Sequence, residues 1–157
     1  MRILHVGNGN EKHCGARFYD VGRKLQHGLI RANHNALFFS DRDVTRTSGI
    51  CGTKWRGAER CNARLLEVAR NFIPDMILLG HADIITNKTL QSLRSQHPPV
   101  RIAQFNVDPL FRPENDAAIR SRIPYTDTTF ITTGGEVLTR YETPAHRAYY
   151  IPNPIDP

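Results

Sequence analysis

Asp75-Met76-Ile77-Leu78-Leu79-Gly80-His81-Ala82-Asp83 is the stretch that decides the fold. Met76 to Leu79 are apolar without alternation, so the strand they form keeps no face for water, and Gly80-His81-Ala82-Asp83 closes it. A strand covered on both sides belongs in the middle of a parallel sheet with helices on each face. Upstream, Ala58, Cys61, Leu65, Val68, Ala69 and Phe72 recur at helical spacing and stop just before Pro74, which fits a helix end. Downstream, Leu90 and Leu93 mark a short helix closed by Pro98-Pro99, and Val100 to Phe105 is the next strand.

The same alternation continues in both directions. Arg2 to Val6 is a short apolar run ending in Gly7-Asn8-Gly9-Asn10, a strand followed by a glycine-rich turn. Phe18, Val21, Leu25, Leu29 and Ala32 form a helical stripe, weakened by Gly22 and Gly28 and stopped by Asn33-His34-Asn35. Ala36 to Phe39 is a second strand ending at Ser40-Asp41. Residues Arg42 to Gly57 are polar, basic and without either periodicity, which predicts a mobile loop. Beyond the fourth strand come a helix near Asp116 to Ile123, a strand over Thr128 to Ile131, a helix through Val137, Leu138 and Tyr141, and a last strand over Ala148 to Ile151. The expectation is one α/β domain over residues 1–157: three-layer and Rossmann-like, with a mostly parallel sheet of about six strands and right-handed crossovers.

The 157 residues are 39% apolar and 23% charged, the composition of a folded domain. No apolar stretch approaches the roughly 20 residues of a membrane span. The N-terminus lacks the apolar core of a secretory signal, so a cytoplasmic location is expected. Cys14, Cys51 and Cys61 show no C-x-x-C pairing and read as reduced thiols. The net charge of +6 favours an anionic partner, either nucleic acid, nucleotide phosphate or an anionic membrane surface, without choosing among them.

Ligands of open parallel sheets bind beyond the carboxyl ends of the strands, so the residues after each strand are the candidates. Gly7, Asn8, Gly9 and Asn10 begin like a dinucleotide fingerprint, but Lys12 stands where the third glycine belongs. Asp41 lies 32 residues after Gly9, against the roughly 20 of that motif. Two readings stay open: a tight turn alone, or backbone N–H groups that, with Lys12, His13 and Arg17, line a pocket for a polar or anionic ligand. His81 and Asp83 follow the third strand, Asn106 and Asp108 the fourth, so all four emerge on one edge. A histidine and two carboxylates there can supply a general base and orient hydroxyl groups, although Asp108-Pro109 is also a common turn start. Thr133, Gly134 and Gly135 allow close backbone approach after the fifth strand. The seven histidines are scattered with no metal-ligand spacing, so no metal is expected. Walker and nucleophile-elbow sequences are absent as well.

Taken in order, Asp75 to Asp83, Ile102-Ala103-Gln104-Phe105-Asn106-Val107-Asp108-Pro109, Phe130-Ile131-Thr132-Thr133-Gly134-Gly135 and Tyr150-Ile151-Pro152-Asn153-Pro154-Ile155-Asp156 resemble the N-terminal domain of bacterial glycosyltransferases of the GT-B fold, nearest the spore-maturation-like branch. The resemblance spans nearly the whole chain. It implies one half of a GT-B fold: an acceptor-binding domain whose partner, a C-terminal donor-binding domain absent from this chain, holds the nucleotide-sugar as co-substrate, with no other cofactor. It implies polysaccharide biosynthesis with a saccharide or lipid-linked acceptor, at the inner membrane face in the latter case, and an isolated chain without activity. On the resemblance, Asp108 is the catalytic candidate that accepts or relays the hydroxyl proton, and His81 is the second. Asn106 orients the sugar, Asn153 joins the substrate-facing set, and the turn from Gly7 to Arg17 contacts acceptor or donor phosphate. The basic segment from Arg42 to Arg60 is either a solvated loop or a contact for an anionic acceptor or membrane.

The rival expectation is a non-catalytic Rossmann-like module that binds a nucleotide or sugar, or scaffolds a partner chain. Specific nucleic-acid binding finds no support: no aromatics are interleaved with the basic residues and no RRM, KH or zinc-finger signature occurs. The sequence specifies no oligomeric state.

Overall fold

The computed structural model describes residues 1–18, 20–49 and 56–155. Six strands, β1 (Arg2–Gly7), β2 (Asn35–Ser40), β3 (Met76–Gly80), β4 (Arg101–Asn106), β5 (Thr128–Ile131) and β6 (Arg147–Tyr150), form one sheet in the order β2-β1-β3-β4-β5-β6. Every pairing is parallel. The order reverses between β1 and β3, which makes the gap beyond their carboxyl ends the topological switch point where such sheets bind ligands.

Among the described residues five α-helices flank the sheet: α1 (Val21–Arg31), α2 (Asp41–Thr47), α3 (Gly57–Phe72), α4 (Asn87–Gln96) and α5 (Pro113–Arg122). The α/β, Rossmann-like, three-layer architecture follows from how each strand divides its side chains. Leu4, Val6, Ile77, Leu79 and Ile102 face α3 and α4, meeting Cys61, Leu65, Ala69, Leu90 and Leu93 in the main core. Ile3, Leu78, Ala103 and Phe105 face the other way, onto Val21, Leu25 and Leu29 of α1. A third cluster joins Ile119 of α5 to Ile131, Tyr141 and Ala148. Beside that cluster a buried polar network links β4 and β5 to His146 at the entry to β6. Gln104 Nε2 donates to Thr129 Oγ1 at 2.8 Å, Thr129 Oγ1 lies 2.8 Å from His146 Nε2, and His146 Nδ1 lies 2.8 Å from the Thr126 carbonyl. A buried network completed in this way fixes one arrangement of strands.

Three expectations need correction. Residues 42–57 are not simply a loop, because Asp41–Thr47 is helix α2, packed on α3. Its N-cap Ser40 accepts from the Asp43 N–H, and Thr45 Oγ1 donates to the Asp41 carbonyl, so caps and tertiary packing replace the missing apolar stripe. Residues 50–55, with Cys51, lie outside the described residues, as do Tyr19 and residues 156–157. Phe18 precedes α1 and is exposed, and Ala32 caps the helix end in the open; the packed stripe is Val21, Leu25 and Leu29, all partly buried, with Gln26 buried beside them. Finally, Glu136–Tyr141 is a 3₁₀ helix rather than an α-helix. Cys14 and Cys61 are free thiols, the first exposed and the second buried. Among the described residues no helix is long and apolar enough to cross a membrane.

Candidate functional site

At the switch point lies an open cavity of about 260 Å³. Its walls come from three strand ends and the start of α1: His5, Asn8, Asn10 and Arg17 from β1 and its turn, Asp20, Val21, Gly22 and Leu25 from α1, Arg42 from α2, Gly80 and His81 from β3, and Phe105 from β4.

Gly7 and Gly9 shape this site without touching its contents. A Cβ on Gly7 would stand 2.9 Å from the Gly80 carbonyl, so only glycine lets β1 and β3 close at their tips. A Cβ on Gly9 would stand 2.8 Å from Asp43 Oδ2 and 2.9 Å from Ser40 Oγ. The turn is thereby pressed onto β2 and α2, and its N–H groups are used there. Gly9 N donates to Ser40 Oγ at 2.8 Å, Asn10 N to Asn8 Oδ1 at 3.1 Å and Glu11 N to Asp43 Oδ2 at 3.3 Å. The expectation of backbone N–H groups open to an anion is therefore corrected for these three; the turn offers side chains instead. Asn8 Nδ2 donates to Asn10 Oδ1, Asn10 Nδ2 donates to Asp20, and Asp20 also caps α1 by accepting from Arg23 N at 3.2 Å. Asn10 holds a φ of 56°, a left-handed conformation that Asn tolerates better than most residues.

The Asp43 carboxylate anchors the turn. Burial pushes its pKa up, but hydrogen bonds from Ser40, Arg46 and the Glu11 N–H outweigh burial and hold it below the ordinary value. Arg46 reaches Asp43 at 2.7 Å, Arg42 pairs with Asp83, and Arg60 donates to the Ser48 carbonyl. Arg17 forms no ion pair among the described residues, which leaves it as the cation at the mouth of the cavity.

His81 and Asp108 stand on the same rim, with 3.5 Å between Nδ1 and Oδ2, and both are partly exposed. His81 has a φ of 49°, a conformation that costs energy for any residue with a Cβ and persists only where its surroundings enforce it. The loop that follows supplies that enforcement. The Ile84 N–H donates to Asp41 Oδ2, Asn62 Nδ2 donates to the Ile84 carbonyl, Asn62 Oδ1 accepts from Thr86 N, and an Arg122 guanidinium N–H donates to the Ala82 carbonyl at 2.6 Å. Asn106 Oδ1 accepts from the Asp108 N–H at 2.8 Å, which makes it the brace of the Asp108 turn.

Of the residues singled out from sequence, Asn8, Asn10, Arg17 and His81 line the cavity. Asp83 and Asp108 each pair with a residue of its wall. His13 stands outside it, as do Thr133, Gly134 and Gly135, which are exposed beyond β5, and Asn153, exposed beyond β6. Sequence reasoning missed His5 and Gln26. His5 is fully buried in the middle of β1, its Nδ1 3.0 Å from Gln26 Oε1. Burial, helped by nearby Arg23 and only partly offset by the Gln26 hydrogen bond, lowers its pKa to about 4. Among the described residues no three His, Cys, Asp or Glu side chains gather as a metal site.

No protein-family model matches the chain, and no curated protein matches it closely enough to name a relative.

Proposed function

We propose that this domain is the acceptor-binding half of a GT-B glycosyltransferase and that the β1/β3 cavity holds the acceptor sugar. The observation that carries the reading is the His81–Asp108 pair on the rim of a cavity of mixed polar and apolar lining at the switch point. A glycosyl transfer needs an acceptor hydroxyl held in line with the anomeric carbon and a group that takes its proton. His81 lines the cavity and Asp108 does not, so His81 is the proton acceptor and Asp108 the carboxylate that stabilises the resulting imidazolium. That exchanges the roles expected from sequence. Asn8 and Asn10, their amides bonded within the turn and to Asp20, shape the wall against which the sugar lies, and Arg17 meets a phosphate at the mouth where the acceptor is lipid-linked. The donor nucleotide-sugar and the stabilisation of its leaving diphosphate belong to a second domain, on the same chain or a partner.

Shift mapping of the ¹⁵N-labelled chain with a panel of hexoses, pentoses and disaccharides tests the binding half of this reading. Saccharides are expected to move the amides of Asn8, Gly80 and His81. Shifts confined to other surfaces, or produced only by RNA, would contradict it. In the two-domain enzyme, His81→Asn is expected to lower kcat by about 10²- to 10⁴-fold, and Asp108→Asn by less with KM unchanged. Saccharide binding with no transfer in the presence of a donor-binding domain would identify a binding module instead.

A further inference from the structure

His5 carries a polar atom that the fold leaves without a partner. Its ring is fully buried, yet Nε2 finds no hydrogen bond among the described residues. A buried polar atom in that condition has lost its water without gaining a partner, which is unfavourable and calls for an explanation. Three other side chains share the condition, Arg23, His13 and His97, but none of those residues is itself buried. His5 differs in a second way, because it forms part of the cavity wall. A Cβ on Gly80, also in that wall, would lie 3.6 Å from His5 Nε2, and one on Gly7 would lie 3.7 Å away. Gly7 and Gly80 therefore set no side chain against that edge of the ring, though Nε2 itself keeps almost no accessible surface.

The protonation of that edge follows from the other one. Gln26 Nε2 donates to the Ala36 carbonyl at 2.8 Å. A backbone carbonyl only accepts, so the amide orientation is settled and Oε1 is the atom that faces His5. Oε1 also only accepts, so His5 Nδ1 carries the hydrogen at 3.0 Å. The ring stays neutral because burial opposes its charge, and Nε2 is then a bare lone pair. A bare lone pair at the floor admits a hydrogen-bond donor and repels an anion.

We propose that His5 is the specificity-determining residue of the cavity, its Nε2 accepting a hydrogen bond from one hydroxyl of a polyhydroxylated ligand. This rests on the reading of the cavity as a saccharide site. The ligand enters with a hydroxyl at the floor, and any phosphate it bears stays at the mouth near Arg17. Rejection of an analogue lacking that hydroxyl follows because Nε2 would be left unpaired beneath it.

The test uses the intact chain labelled with ¹⁵N-histidine and, as probes, D-glucose, D-galactose, D-mannose and D-ribose with the monodeoxy derivatives of whichever binds. In the free protein the His5 signals are expected to report the Nδ1–H tautomer from pH 5 to 8. On saturation with the binding sugar the Nε2 resonance is expected to move, and one monodeoxy derivative is expected to bind about tenfold or more weakly. His5→Phe, which keeps an aromatic ring against Phe38 but offers no acceptor, is expected to lose the same factor and to bind parent and deoxy sugars alike. His5→Gln, which can accept, is expected to recover part of the discrimination. The deoxy series on the unsubstituted protein keeps the test decisive if a variant fails to fold. An Nε2–H tautomer, or equal binding of all deoxy derivatives to the unsubstituted protein, overturns the role of His5 while the saccharide site stands. If no sugar moves any cavity resonance, the saccharide reading itself fails and this inference falls with it.

Discussion

Gly57→Ala is expected to lose about 1–3 kcal/mol of stability in chemical denaturation, the range of overpacked positions. Helix propensity alone points the other way. Gly57 sits in the first turn of α3, where Ala is the better helix former by about 1 kcal/mol. The added Cβ would stand 2.3 Å from the Thr45 carbonyl and 3.1 Å from Thr45 Cγ2. The obstacle is backbone, so α2 must move off α3, and α2 carries Asp41, which holds the loop behind His81, and Asp43, which anchors the turn after β1. A gain in stability would show that α2 is not docked as described.

The second large effect is a pair of opposed pH dependences. Asp41 is fully buried, and burial, only partly offset by the N–H groups of Ile84 and Arg42, raises its pKa from 3.8 to about 6. An acid with a raised folded pKa favours folding when protonated; that contribution is complete below 3.8 and is lost as pH rises through 6. The two-unit difference corresponds to about 3 kcal/mol. His5 has the reverse sign. Its folded pKa falls from 6.5 to about 4, so its contribution is complete above 6.5 and lost as pH falls through 4, again about 3 kcal/mol. Between pH 4 and 6 the two slopes oppose each other in the unsubstituted protein. Asp41→Asn removes one of them. Its stability relative to the unsubstituted protein is expected to rise by about 3 kcal/mol between pH 4 and pH 7, and that of His5→Gln to fall by a similar amount. Any fixed cost of a lost hydrogen bond is the same at every pH and drops out of the comparison. A flat difference for Asp41→Asn would mean that its carboxyl is hydrated.

Where the two opposed groups sit explains what was legible in advance. The uninterrupted run of β3 and the helical stripe from Cys61 to Phe72 reported the sheet and its order of elements, because both are signals carried by neighbours in sequence. The convergence of His81 and Asp108 followed from parallel strands alone, since both leave the sheet at its carboxyl edge. Helix α2 escaped notice because its seven residues contain one packed apolar side chain, Val44, and depend on Ser40 and α3. His5 escaped because a lone histidine in an apolar run reads as a filler of the core; its meaning comes from Gln26, 21 residues away, and from two glycines that set no side chain against its Nε2. The turn at Gly9 suggested phosphate because glycine spacing does not reveal where the N–H groups point. The side chains that claim two of them, Ser40 and Asp43, lie more than thirty residues downstream.

The account stands on the cavity between the tips of β1 and β3. A crystal structure of the chain soaked with the tightest-binding sugar of the panel tests it most directly. The sugar is expected between Asn8, Asn10 and His81, with one hydroxyl on His5 Nε2. Sugar density at the amino edge of the sheet, or beyond β5 and β6 with the cavity holding only water, would contradict it.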